Sequence, residues 1–204
     1  MIGTLRKDRG QAFPIYVMMV AGLLFLALAF FAVGKASALR NGSQGAADAA
    51  ALAAAQSARD HSAFGQGFFA SLPRNTLDVF LNAPFASRCD EAERLADAND
   101  ADEISCVVDD GYLRDRVTVE VEGRKPVDSP VIPGTDRRFA VAEATALIEF
   151  SCPRPKAVDF DSNGVQDLFI FTCKNGEVLR IAPSKPQPWE TVSRTLFDVR
   201  LVDR

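Results

Sequence analysis

The chain has 204 residues, with 23 basic and 27 acidic side chains and a net charge of −4. Residues 1–34 hold three basic groups and one acidic group, which leaves 20 against 26 beyond them and no basic stripe; a phosphate backbone finds no electrostatic footprint there, so nucleic acid is excluded as a partner. The roughly 170 residues after the first apolar stretch suffice for a single hydrophobic core.

Residues 1–10 form a short basic leader, with Arg6, Lys7 and Arg9 ahead of Gly10. Residues 11–34 then carry no charge, and as a helix Ala12 to Gly34 measures about 34 Å, enough to cross a hydrocarbon core of about 30 Å. Pro14 is compatible with a helix starting near Phe13, because its missing N–H falls in the first turn. The leader is richer in basic groups than the sparse Lys35 and Arg40 on the other side, so the N-terminus is expected in the cytoplasm and the remainder outside. Ala36-Ser37-Ala38 has the small-x-small form of a secretory cleavage site, with Leu39 as the mature start. Its apolar core is longer than the roughly 7–15 residues of a signal peptide, which favours an uncleaved anchor.

Residues 35–62 are dense in alanine and free of proline, which predicts that the membrane helix continues outward as a stalk. Asn41-Gly42 and Gly45 weaken it and predict a bend near 41–45. Arg40, Gln44 and Asp48 make one polar stripe, and the small remainder of the surface is expected to pack on a partner helix or on the protein's own domain, a solvated linker helix being the competing reading.

Residues 63–204 are expected to form an exported head. Bulky apolar groups over residues 64–85 predict the entry to a core, with a short helix from Thr76 to Leu81. Residues 89–99 place Ala92, Leu95, Ala96 and Asn99 on one face of a short amphipathic helix. The period then switches to two: Val117 to Glu122 reads as a half-buried strand, and Phe139 to Phe150 as another, its alanines leaving a helix as the competing reading and the run Leu147 to Phe150 favouring the strand. Leu168 to Cys173, Glu177 to Ala182 and Leu196 to Val202 follow as further strands, the first two joined by a tight turn at Lys174-Asn175-Gly176-Glu177. The fold class is therefore α+β: a long N-terminal transmembrane and stalk helix with an antiparallel, sheet-rich, disulfide-stabilised head.

All four cysteines, Cys89, Cys106, Cys152 and Cys173, follow the membrane segment and read as two disulfides of an exported domain. Sequential pairing, Cys89 with Cys106 and Cys152 with Cys173, is the simplest of three connectivities. Zinc is disfavoured, because no C-x-x-C pair occurs and His61 is the only histidine.

The sharpest local motif is Asp159-Phe-Asp161-Ser-Asn163-Gly164-Val165-Gln-Asp167. Side-chain oxygens on alternate residues, with glycine at the sharp turn, suit a hard cation such as calcium. Ile170 stands where an EF-hand needs its twelfth-position glutamate. The motif instead resembles the D-x-D-x-N-G-x-x-D calcium loops in strand hairpins of FG-GAP-like repeats. The ligands this implies are Asp159, Asp161, Asn163, the Val165 carbonyl and Asp167, holding a structural Ca2+; an Asn-Gly turn with solvated acids is the competing reading. No nucleophile elbow, H-E-x-x-H or phosphate loop occurs, and His61 reads as an exposed helix-end residue, so an enzyme is not expected.

Arg9-Gly10-Gln11-Ala12, the apolar helix, and then Arg40-Asn41-Gly42-Ser43-Gln44-Gly45-Ala46-Ala47-Asp48 with the alanine run to Ala55 resemble the N-terminus of TadE/TadG-like pilus-assembly proteins. The Cys89 to Cys106 stretch is similar to a feature of the smaller TadE-like members. The resemblance implies a single-pass, type IV pilin-like component of a Flp or tight-adherence pilus system, with other pilus-assembly or pilin subunits as partners through the N-terminal helix. It also implies a processing site between Gly10 and Gln11. The fifth mature residue would then be Ile15, where pilins commonly use glutamate to pair with a neighbouring N-terminus. That departure favours a membrane-anchored accessory or minor subunit over a major filament subunit. A membrane-tethered, calcium-dependent surface binding module is the alternative drawn from the acidic loop.

Overall fold

The computed structural model describes residues 12–61, 85–111, 113–128 and 133–203. The leader, Gly10 and Gln11, and the helix expected at Thr76 to Leu81 lie outside the described residues. One helix, α1 (Ala12–Asp60), begins the described chain and runs for 49 residues, about 74 Å. It passes through Asn41, Gly42 and Gly45 without interruption, so the expected weak point does not break the helix. The reason lies in packing: from Ser43 onward one side of α1 is covered by the rest of the protein, and tertiary contact outweighs a glycine's cost of about 1 kcal/mol.

After α2 (Cys89–Ala98) come β1 (Ala101–Asp109), β2 (Arg114–Gly123) and β3 (Val141–Phe150). The chain continues through β4 (Arg154–Val158), β5 (Leu168–Thr172), β6 (Val178–Ile181), α3 (Trp189–Leu196) and β7 (Phe197–Val202). Two antiparallel sheets result, one ordered β1-β2-β3-β7 and one ordered β4-β5-β6. The α+β class with a long helix and a sheet-rich head therefore holds.

Three elements differ from the expectation. β1 is a strand that the sequence hides, because the register slips between Glu103 and Ser105 and breaks the alternation. β4 carries Pro155, which a strand tolerates at a sheet edge, where β4 lies. α3 ends on Leu196, placed above at the start of the last strand, which begins instead at Phe197. Trp189, Val192 and Leu196 follow helical spacing, and Val192 and Leu196 are fully buried.

The alternation in β2 and β3 sends Val117, Val119 and Val121, and Ala142, Ala144, Ala146, Ile148 and Phe150, onto one buried face. That face and α2 both pack on α1, which offers them Ala46, Ala47, Ala50, Ala51, Ala54, Ala55 and Ala58. Alanine makes this possible, since a helix with methyl side chains can approach a sheet closely. The stalk thus packs on its own domain, as its central helix. α2 closes the β1 side with Ala92 and Ala96, while Leu95 is half-buried and Asn99 exposed.

The core continues to Phe169, Phe171 and Ile181 of the second sheet. Phe150 of the first sheet meets Phe171 of the second edge-on, with ring centroids 6.5 Å apart, and within the first sheet Phe197 packs against Phe150 at 5.4 Å and receives Phe85 edge-on at 5.1 Å. At the C-terminal end of α1, Trp189 donates its indole N–H to the Arg59 carbonyl at 3.1 Å. Asp60 receives Arg59 at 2.8 Å and Arg194 at 3.3 Å. Desolvation raises the Asp60 carboxyl, but these two guanidinium groups outweigh it and hold the group below its ordinary value.

Candidate functional site

Two regions carry chemistry that the core does not use. The first is the N-terminal half of α1. Every large apolar side chain from Phe13 to Val33 is exposed, whereas the opposite end of the same helix is lined with buried alanines. A soluble protein rarely exposes a contiguous apolar surface of this extent. The helix is long and apolar enough to cross a membrane and is compatible with a single membrane anchor.

The second region is the turn between β4 and β5. The two strands pair from Arg154↔Thr172 to Val158↔Leu168, and the Asp167 N–H donates to the Val158 carbonyl at 2.9 Å, closing the loop. Residues 159–167 therefore form the tip of a strand hairpin. Oxygens of Asp159, Asp161 and Asp167 all lie within 4.8 Å of one another. Gly164, at φ +83°, supplies a turn that a side chain resists, and Ser162 also has positive φ, at 57°.

Backbone donors hold the acids in place. Asp159 accepts from the Gly164 N–H at 2.8 Å and from the Asn163 N–H at 3.3 Å, and Asp167 accepts from the Phe160 N–H at 2.8 Å. Asn163 donates its side-chain amide to Asp161 at 2.8 Å, while its amide oxygen accepts from the Val165 N–H at 2.7 Å. Desolvation raises the Asp159 carboxyl, but the Gly164 N–H, Asp161 and the neighbouring backbone donors prevail and keep it below its ordinary value. Of the five expected ligands, the structure gathers three carboxylates. Asn163 sits in the same turn with its oxygen engaged locally, and Val165 is exposed beside it.

The disulfides are Cys89–Cys106 and Cys152–Cys173. The first ties the start of α2 to β1. The second joins the two ends of the β4–β5 hairpin, at the opposite end from the acidic tip, and both sulfurs lie near the Thr195 carbonyl, at 3.6 and 3.8 Å. His61 sits at the exposed C-terminal end of α1, its Nδ1 3.2 Å from the Ser57 carbonyl.

Sequence reasoning overlooked the ion-pair network around Glu149, which receives Lys174 Nζ at 3.0 Å and Arg200 at 3.1 Å. No local motif announces it, because its members come from β3, the β5–β6 turn and β7.

Residues 10–57 match the TadE/G-like Flp pilus-assembly domain. No curated protein and no solved structure matches the chain. The matched segment runs from Gly10 to Ser57, and so takes in the exposed apolar half of α1 and nearly all of its buried alanine face.

Proposed function

We propose that this protein is a non-catalytic accessory or minor pilin-like component of a Tad/Flp type IV pilus-assembly system. In this reading α1 anchors it in the cell membrane, the N-terminus stays cytoplasmic, and the head is exported. The observation that carries the proposal is the family match on residues 10–57, which falls on a helix whose apolar half is left uncovered for lipid or for neighbouring subunits. The basic leader supports the orientation, two disulfides suit an oxidising compartment, and Ile15 supports an accessory role over a filament-forming one. Deleting the gene should abolish or sharply reduce surface pili counted by electron microscopy, with recovery on complementation; an unchanged pilus count would overturn the assembly role.

The acidic hairpin tip favours a second reading, a membrane-tethered, calcium-dependent binding module. Three carboxylates converging within 4.8 Å, with Asn163 and the Val165 carbonyl in the same turn, form an oxygen-rich set of the kind calcium takes. Calcium should raise the melting temperature of the detergent-solubilised chain, and Asp161→Ala should remove the increment. A wild-type melting curve indifferent to calcium and to chelator would reject the metal site. Normal pili together with lost surface adhesion in the deletion strain would favour this module over the assembly role.

A further inference from the structure

We propose that the described parts of the connection between β2 and β3, residues 124–128 and 133–140, form a foot by which the head sits on the headgroups of an anionic phospholipid bilayer, through Arg137, Arg138, Phe139 and Lys35. The inference rests on the reading of α1 as a membrane anchor and adds a second point of contact to it.

Three observations converge on this loop. Lys35 is the first charged residue after the apolar segment, and its Nζ donates to the Asp128 carbonyl at 3.0 Å, so the loop stands where the helix leaves the hydrocarbon. The covered stripe of α1 also does not stop at Ser43. Ala32 is 5% exposed and lies on the helix face of Ala36, Leu39 and Ser43, so the cover on α1 reaches the last turns of the apolar segment itself. The head therefore has no stand-off from the membrane surface.

The loop is also built to present its basic end. Gly123 N–H to the Ala140 carbonyl at 2.8 Å, Val127 N–H to Arg138 at 2.8 Å and Asp128 N–H to Thr135 at 3.0 Å fasten its two sides together. Arg124 is committed to Asp97 and Asp102, and Lys125 to Asp100. The Arg137 side chain is 92% exposed, with Asp136 3.7 Å away, and Arg138 is exposed beside it. Phe139 follows them, 41% exposed. Cations next to an aromatic ring at the level where a helix emerges match the chemistry of an anionic membrane interface. Asp128 and Asp136 are the acids of the same loop; Arg137 lies 3.7 Å from Asp136, and Lys35 contacts the backbone carbonyl of Asp128, so against these two acids the foot carries three cations, Lys35, Arg137 and Arg138.

The four native cysteines are all in disulfides, so an introduced cysteine is the sole thiol for a fluorophore. The full chain is reconstituted in vesicles of phosphatidylcholine and phosphatidylglycerol, labelled in turn at Asp136→Cys, at Leu24→Cys in the apolar segment, and at Thr191→Cys near the far end of α1. Headgroup spin-labelled lipid should quench the label at 136 and spare the one at 191. The pair Arg137→Glu and Arg138→Glu should cut the quenching at 136 by at least about twofold, since each basic side chain near the surface adds to the attraction. Acyl-chain spin label should quench position 24 throughout. If 24 is quenched while 136 behaves like 191, the foot is overturned and the anchor stands; if 24 also escapes, both fall. Quenching at 136 unaltered by the charge reversals would overturn the role of the arginines.

Discussion

Ser43 on α1 and Gly123 at the end of β2 meet at a close approach of helix and sheet. A methyl group built on Gly123 would lie 2.6 Å from the Ser43 hydroxyl oxygen, with the Ala140 carbonyl next at 3.6 Å and the Ser43 Cβ at 3.9 Å. Glycine is needed here because of what stands opposite it. Gly123→Ala should therefore destabilise the protein by about 1–3 kcal/mol, the usual cost of overfilling a packed site. In a Ser43→Ala background the obstructing oxygen is gone and most of that loss should disappear. Urea midpoints of the two single variants and the double variant measure the coupling, and strict additivity would refute the account. The same smallness governs Ala46 to Ala58, which are 1% exposed or less where they face the sheet.

Among the elements, β3 is held from both faces. Its buried side lies on α1, and on the other side Glu149 gathers Lys174 and Arg200. The Lys174 hydrogen bond is the largest influence on the Glu149 carboxyl, burial opposes it, Arg200 adds to it, and the net result lies below the ordinary value. A carboxyl lowered on folding gives stability that is present above its unfolded pKa, about 4.3, and is lost as pH falls through the lower folded value. Denaturation midpoints should thus decline as the solution is acidified below about pH 5, and Glu149→Gln should flatten part of that decline. An identical pH dependence in the variant would remove Glu149 from the explanation.

What the sequence conveyed at this scale follows from regularity. β2 alternates cleanly and was legible, β3 was legible from its apolar alternation although Ala144 to Ile148 are buried throughout, and so was the turn at Gly176, whose φ of +85° only glycine accepts readily. β1 was not, because its bulge displaces Ile104 to the surface and interrupts the period. α3 is two turns long and follows prolines 183, 186 and 188, which mask a helical spacing that was present. The acidic tip was visible as spacing, while the network at Glu149 depended on three distant segments meeting.

For the whole molecule, the exposed and buried halves of α1 divide at about the end of the apolar segment. A chain beginning at Lys35 keeps Ser43 and the alanine face, and should fold and melt cooperatively without detergent. A chain beginning at His61 loses the centre of the core and should not. Circular dichroism and thermal melting distinguish the two, and a cooperative transition in the shorter chain would show that α1 is dispensable to the fold. Composition left open whether the alanine surface packs on a partner helix or on the protein's own domain, and the three-dimensional pairing assigns it to the protein's own core.

Since α1 continues without a break from the apolar segment into the core, the exposed apolar half and the head share one axle. A torque applied to the apolar half turns the whole body, and each residue of helical offset amounts to about 100° of heading. The compass direction in which the acidic tip faces is therefore set by how the buried end of that axle is gripped.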